Sequence, residues 1–438
     1  MLVASALVLL MTPGLAFFYG GMVRAKNVLG MLMQNYVVMG IVSVLWVLFT
    51  FSLAFDKGPG ASGNAFIGGL HFAFLKHPGS GVPGYPSLAI PLYVFVAFQL
   101  MFAIITPALI VGATADRWKF GAFVAFVAVW AVVDYAVVAH WVFDPYGWLF
   151  VRGAEDFAGG TVVHANAGAA GLAMCLVLGR RKGWPHEQMR PHNVPFVLLG
   201  AGLLWFGWFG FNAGSALSAR GAAVPFLTTN TATAAAMLGW LAVERLRDGR
   251  ATTLGAASGA VAGLVAITPA CAYVSPLGSI LLGVVAGAAC SSATPLKFRL
   301  GFDDSLDVVA VHLLGGIVGA LSIGFLGNAH FAGANGLLYG GGGHLLLVQV
   351  EAVAAVVAYS FVVSYVLGTA ISRLSANRTS ALTDEEQDAG MDLALHGETA
   401  YETGAIRSGG LALAGIGAAH PPPPPTGHAV PVTTGDET

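Results

Sequence analysis

The chain has 438 residues, 56% of them hydrophobic and only 10% charged, whereas an ordinary soluble protein carries about a quarter of its residues as Asp, Glu, Lys and Arg. This is the composition of a membrane protein. The net charge of -2 and the lack of any Lys/Arg block interleaved with aromatics give no basis for a nucleic-acid partner or an acidic substrate; Cys175, Cys271 and Cys290 stand singly in apolar runs, so they build neither a disulfide framework nor a paired metal or redox motif.

The opening residues, MLVASALVLLMTPGLAFFYGG, lack the basic region and small-residue cleavage site of a signal peptide and read as a spanning helix. From Met1 to Phe18 this helix only just reaches the roughly 20 residues needed to cross the hydrocarbon, so a true start a few residues upstream is expected. Further apolar runs, punctuated by Gly, Pro and charge, predict spans at 29–54, 87–113, 119–140 and 161–179, and then at 193–213, 224–243, 253–273, 276–296, 306–327 and 344–373. Small residues in GAAGLA, GAASGAVAG and GVVAGAAC let such helices approach closely. With the first span this makes eleven, which puts the two chain ends on opposite faces.

Basic residues give the orientation. With the C-terminus inside, the inner connections and tail hold sixteen Lys and Arg, from Arg24 and Lys26 through Arg180, Arg181 and Lys182 to Arg407. The outer connections keep only Lys57, Lys76, Arg152 and Arg220. The expected topology is therefore N-out, C-in. Residues 1–375 form the membrane domain and 376–438 a cytoplasmic tail, polar and acidic at first, then disordered and Pro-rich from about 405, with a polyproline II run at Pro421 to Pro425.

Two histidines stand out because burying an ionisable ring in lipid is costly. The fifth span carries TVVHANAGAAG and the tenth VAVHLLGGIVG, with Gly168 and Gly171 after His164, and Gly315 or Gly316 and Gly319 after His312. The match predicts repeats of five helices, the second inverted because five is odd, with an eleventh helix outside them. His164 and His312 then face each other at mid-membrane. A single intramembrane histidine is most often a packed residue bonded to a carbonyl; two at equivalent positions, each beside glycine, favour a pore lining. A bis-histidine haem or metal site is the next reading, although no Cys, Met or carboxylate lies nearby in sequence to complete a shell. Asp156 and Asp307 read as structural anchors of helix ends, and Asp134 and Glu351 as interhelical partners.

The motifs MTPGLAFFYGGMVRAKNVL, AFQLMFAIITPALIVGATADR, DFAGGTVVHANAG, GWFGFNAGSALSA, TATAAAMLGW, GLVAITPACAYV, LDVVAVHLLGG and LALHGETAY together resemble the ammonium transporter family (Amt/Mep/Rh) of bacterial Amt type, in order from about residue 4 to residue 402. The resemblance implies a non-enzymatic, cofactor-free homotrimer in the cell's inner membrane, with eleven helices and one pore per subunit, taking up ammonium or methylammonium. It makes His164 and His312 the twin pore histidines and Phe102 and Phe211 the stacked gate. Ser215 becomes the recruitment hydroxyl, Trp208 a tryptophan beside the pore counted with the recruiting residues, and Asp156 the organiser of the outer vestibule. The family's outer cage has a tryptophan in a motif like HWVWG. This chain reads HWVFDPYGW, so Phe143 or Trp148 fills that place. By analogy, a PII-type signalling protein caps the inner face.

Physical chemistry fits these roles. Ammonium is held over aromatic faces by roughly 0.5–2 kcal/mol, whereas an unpaired charge at the bilayer centre costs several kcal/mol. The expected course is recruitment of the cation by Phe143 or Trp148 and Ser215, loss of its proton near the gate, and passage of ammonia along the imidazoles. Potassium cannot deprotonate and is turned back. Competing readings are a carbon dioxide channel with a varied outer cage, a membrane sensor, which should carry a folded signalling domain, and a haem protein, which would show a Soret band.

Overall fold

Inside a bilayer each backbone N–H and C=O must find its partner within the segment, so long apolar runs cross as helices. A computed structural model of the chain describes residues 1–58, 63–76, 81–85, 87–375 and 378–401, and the described residues are helical with no β-strand. The Pro-rich segment from about 405 falls outside them.

In chain order the spanning elements are α1 (Leu2–Met22), α2 (Ala25–Phe55), α3 (Leu92–Ala113), α4 (Phe120–Arg152, with a turn at 144–147), α5 (Gly160–Leu178), α6 (Val194–Gly214) and α7 (Arg220–Asp248). After them come α8 (Thr253–Ile267), α9 (Pro276–Leu300), α10 (Val309–Leu326) and α11 (His344–Leu374). Ten of these are long and apolar enough to cross a membrane. The exception is α8, whose 15 residues are shorter than the span expected over 253–273. Pro269 has no N–H to continue the ladder after Thr268, which is itself still helical at φ -51° and ψ -50°, and residues 268–273 continue as turns.

Contacts among the first five helices recur among the next five. As α1 packs on α2 and α3, so α6 packs on α7 and α8; as α3 packs on α5, so α8 packs on α10. The lead helices of the two sets, α1 and α6, lie along each other, and α11 packs outside on α4, α5 and α10.

Where Arg24, Arg117 and Arg181 gather, the connections are tied by ion pairs. Arg181 binds Asp303 through two nitrogens at 2.9 and 2.7 Å, and Arg24 reaches Asp116 at 3.1 Å. Arg117 is wholly buried, donating to Ser305 and to the Asp303 carbonyl. Burial works against the charge on Asp303, but Arg181 and Arg117 hold its carboxyl below the usual carboxylate range. The described part of the tail docks here too. A capping box at Thr383 and Glu386 starts α12 (Asp384–Ala389), and α13 (Met391–His396) sits on the start of α2 through Met391 N–H to Asn27 and Gly30 N–H to Asp392.

Candidate functional site

Both histidines sit in a wide, π-helical turn, Gly160–Ala165 in α5 and Val309–Leu313 in α10. Such turns add a residue to the helix ladder and re-aim one side chain. Each is preceded, eight residues before the histidine, by an aspartate that caps it. Asp156 accepts the N–H groups of Gly159, Gly160, Thr161 and Val162 at 2.7–3.1 Å. Asp304 accepts those of Val308 and Val309 at 3.1 and 2.7 Å. Five residues before each histidine the backbone turns left-handed, with φ 107° at Gly159 and 62° at Asp307. Asp304 is thus the counterpart of Asp156. Asp307, expected as an anchor of the helix end, instead holds the strained turn and pairs with Lys297 at 2.8 Å.

The crossing of α5 and α10 is reciprocal. A Cβ on Gly168 would stand 2.4 Å from the backbone nitrogen of Leu313, and one on Gly316 would stand 2.8 Å from that of Ala165. Each glycine lies four residues after its histidine and meets the residue that follows the other histidine. Only bare backbone allows this approach, and it brings His164 Nδ1 within 3.4 Å of His312 Nδ1. Both rings are buried. Two facing nitrogens at that distance share one proton, so one ring donates and the other accepts. The Nε2 atoms then differ in kind: an acceptor on the donating ring and a donor on the other.

The histidines end a column of rings. Phe102 and Phe211 lie 4.3 Å apart at their centroids, Phe211 lies 6.0 Å from His164, and His164 lies 5.4 Å from His312. Trp208 covers the open face of His164 at 5.2 Å, nearly parallel, and its indole N–H donates to Thr268 Oγ1 at 2.8 Å.

Above Phe102 opens a cavity of about 150 Å³ lined by Phe98, Phe102, Phe143 and Ser215, with Asp156 at its wall. Phe143 meets Phe102 edge to face at 6.5 Å. Ser215 Oγ donates to the Phe211 carbonyl at 2.8 Å, which leaves its lone pairs for a donor in the cavity. Burial pushes the Asp156 carboxyl up, against the pull of its four N–H partners.

The residues singled out from sequence divide by place. His164, His312, Phe102 and Phe211 form the column; Phe143, Ser215 and Asp156 line the cavity. Trp148 does not line it: the turn at 144–147 carries it away, edge-on to Trp141 at 5.7 Å. Trp208, grouped with the recruiting residues, lies one turn before Phe211 on α6 and so stands beside the histidines, below the gate. Glu351 pairs bidentately with Arg152 at 2.8 and 3.0 Å, while Asp134 has no ion-pair partner among the described residues and lies buried beside Asn166 and Ser360. Sequence reasoning missed Asp304, Thr268, Gln99 and Tyr85. The eight-residue spacing to His312 marks Asp304, and Gln99 is the sole amide in the apolar run Leu92 to Ile105; nothing in sequence marks Tyr85 or Thr268.

A helical membrane protein with two stacked phenylalanine rings leading to two touching, buried imidazoles has the architecture of a transporter or channel for a small polar molecule. The profile of the Ammonium Transporter Family matches residues 1–401. An ammonium transporter of Mycobacterium tuberculosis is 51% identical, covering 94% of this chain and 91% of that protein. One of Bacillus subtilis is 46% identical over 92% and 97%. The crystal structure of Candida albicans Mep2 superposes with a TM-score of 0.80 at 34% identity, covering 88% of this chain and 85% of that one. The chain belongs to the ammonium transporter family.

Proposed function

We propose that this transporter recruits ammonium in the cavity above Phe102, where the cation gives up its proton to water on the cavity side of the Phe102–Phe211 gate, and conducts ammonia along His164 and His312. The observation that carries the reading is the unbroken ring column from the cavity to the Nδ1 contact of 3.4 Å. The cavity holds what the cation wants: aromatic faces on Phe98, Phe102 and Phe143, and the lone pairs of Ser215. Phe143, rather than Trp148, serves as its outer aromatic wall. The rings of the column carry no anionic group. An intact ion there costs about 2.5–3.5 kcal/mol by translocon scales, whereas ammonia is neutral and finds in the histidine pair one acceptor and one donor.

The chain spans the cell's inner membrane eleven times, N-out and C-in, as two inverted repeats plus α11, and assembles as a homotrimer. The reciprocal contacts of Gly168 and Gly316 and the paired aspartate caps support the repeats, and the basic residues gathered around the docked tail support an inner location for that end. That face is the surface for a PII-type signalling protein.

The test is solid-supported-membrane electrophysiology with labelled methylammonium uptake on reconstituted wild type, His164→Ala and Phe143→Trp. Loss of ammonium-selective flux, or potassium passage, is expected in His164→Ala; unchanged selective flux in that variant refutes the pore assignment. Phe143→Trp should keep the flux and lower the half-saturating concentration.

A further inference from the structure

The recruiting cavity has a wall from a segment with no sequence signature. Between α2 and α3, Tyr85 lines the same cavity as Phe102, Phe143 and Ser215. Its hydroxyl donates to the carbonyl of Phe143 at 2.8 Å, and its ring leans on Phe95 at 6.2 Å. Burial pushes that phenol well above its ordinary value, so it stays a donor.

The seat of Tyr85 is set by the turn that precedes α4's last segment. Gly84, at φ +70°, presses on Pro145 so closely that a Cβ would stand 2.8 Å from the proline ring. Pro145 belongs to the turn Asp144 to Gly147, fixed by the Tyr146 N–H on the Asp144 carboxylate at 2.8 Å and by the Gly147 N–H on the Asp144 carbonyl at 2.8 Å. This turn follows Phe143, which stands where the resemblance expects a tryptophan, and carries Trp148 away from the cavity. The same turn that removes one aromatic wall therefore supplies the platform for another. A benzene ring offers a cation less face than an indole; a second ring tethered to the first residue's own carbonyl restores it.

We infer that Tyr85 is a further cation-binding residue of the recruitment site, its ring and Phe143 together holding the ammonium cation, with Gln99 at the same cavity. The Gln99 amide oxygen is buried without a donor among the described residues and lines the same cavity, so a four-proton cation finds acceptors there and in the Ser215 and Tyr85 hydroxyls. Potassium is drawn by the same aromatic faces and oxygen lone pairs but has no N–H groups to point at them. The inference rests on the recruitment reading given above.

Concentration-dependent ammonium currents in reconstituted liposomes test it, using Tyr85→Ala, Tyr85→Phe, Tyr85→Leu, Ser215→Ala and the double variant Tyr85→Ala with Phe143→Trp. Tyr85→Ala should raise the half-saturating concentration about 3- to 10-fold, the range one cation–aromatic contact gives, with maximal current within about twofold of wild type. Tyr85→Phe should shift it less than Tyr85→Leu, and the double variant should recover most of the loss. If Ser215→Ala raises the half-saturating concentration while Tyr85→Ala leaves it unchanged, Tyr85 is not part of the site and the recruitment reading stands. If neither variant shifts it, the recruitment reading itself fails. Should Tyr85→Ala not assemble, equal values for the Leu and Phe variants overturn the assignment, and a lower value for Phe supports it.

Discussion

Trp208 uses two parts of one indole: its face covers His164 at 5.2 Å and its N–H donates to Thr268. Thr268 in turn donates its hydroxyl proton to the Leu264 carbonyl at 2.7 Å, which aims its lone pair at the indole. Replacing Thr268 by the isosteric valine leaves a buried N–H without an acceptor, at a cost of about 1–3 kcal/mol. Thr268→Val is therefore expected to lower the melting temperature of the detergent-solubilised protein and to reduce methylammonium uptake, whereas Thr268→Ser retains both. A valine variant that melts and transports like wild type would show that the indole is held by packing alone. Much of this scale is legible in sequence: His164, His312, Phe102, Phe211 and Ser215 all lie in long motifs. The choice between Phe143 and Trp148 is not, because five residues of chain say nothing of where a turn points. Phe143 ends a helix aimed at Phe102, and the reversal at 144–147 sends Trp148 the other way.

At the scale of the helix, the crossing of α5 and α10 depends on two missing side chains. Gly316→Ala puts a methyl 2.8 Å from both Ala165 N and the Gly160 carbonyl, backbone atoms that cannot move aside without shifting a helix. Overpacking of this kind costs about 1–3 kcal/mol, and any separation of α5 from α10 lengthens the imidazole contact. Gly316→Ala is expected to lower stability and abolish uptake. Gly40 in α2 is the contrast, with nothing within 4 Å of its Cβ position, so Gly40→Ala should stabilise by about 0.5–1 kcal/mol through helix propensity and leave uptake intact. Thermal unfolding of both variants beside uptake decides; equal behaviour of the two would mean the crossing is not close-packed. Hydropathy placed these helices within a few residues, since lipid enforces the pattern. It overran at α8, where Pro269 ends the helix, and the aspartate five residues before His312 drew the eye from the true cap, Asp304, three residues earlier. A positive φ at Asp307 leaves no trace in composition.

Across the whole molecule, charge is arranged oppositely at two places outside the spans. At the arginine cluster, Asp303 is held below its ordinary range by Arg181 and Arg117, so its contribution is complete above about pH 4 and is lost only as pH falls through its lowered value. Before α5, Glu155 accepts the Ala334 N–H at 2.8 Å and ties the connection between α10 and α11 to the start of the pore helix, yet burial pushes its carboxyl from 4.5 to about 7. A carboxyl raised on folding makes the folded state bind more protons than the unfolded one between those two values. Stability from this group is therefore greatest below pH 4.5 and is lost as pH rises through 7. Melting temperatures of wild type and Glu155→Gln in nanodiscs from pH 4.5 to 8 test the linkage. Wild type should decline across the interval and the glutamine variant, which does not titrate, should decline less, while below pH 4 the two should fall together as Asp303 takes up its proton. Parallel curves over the upper interval would mean that Glu155 keeps its charge throughout.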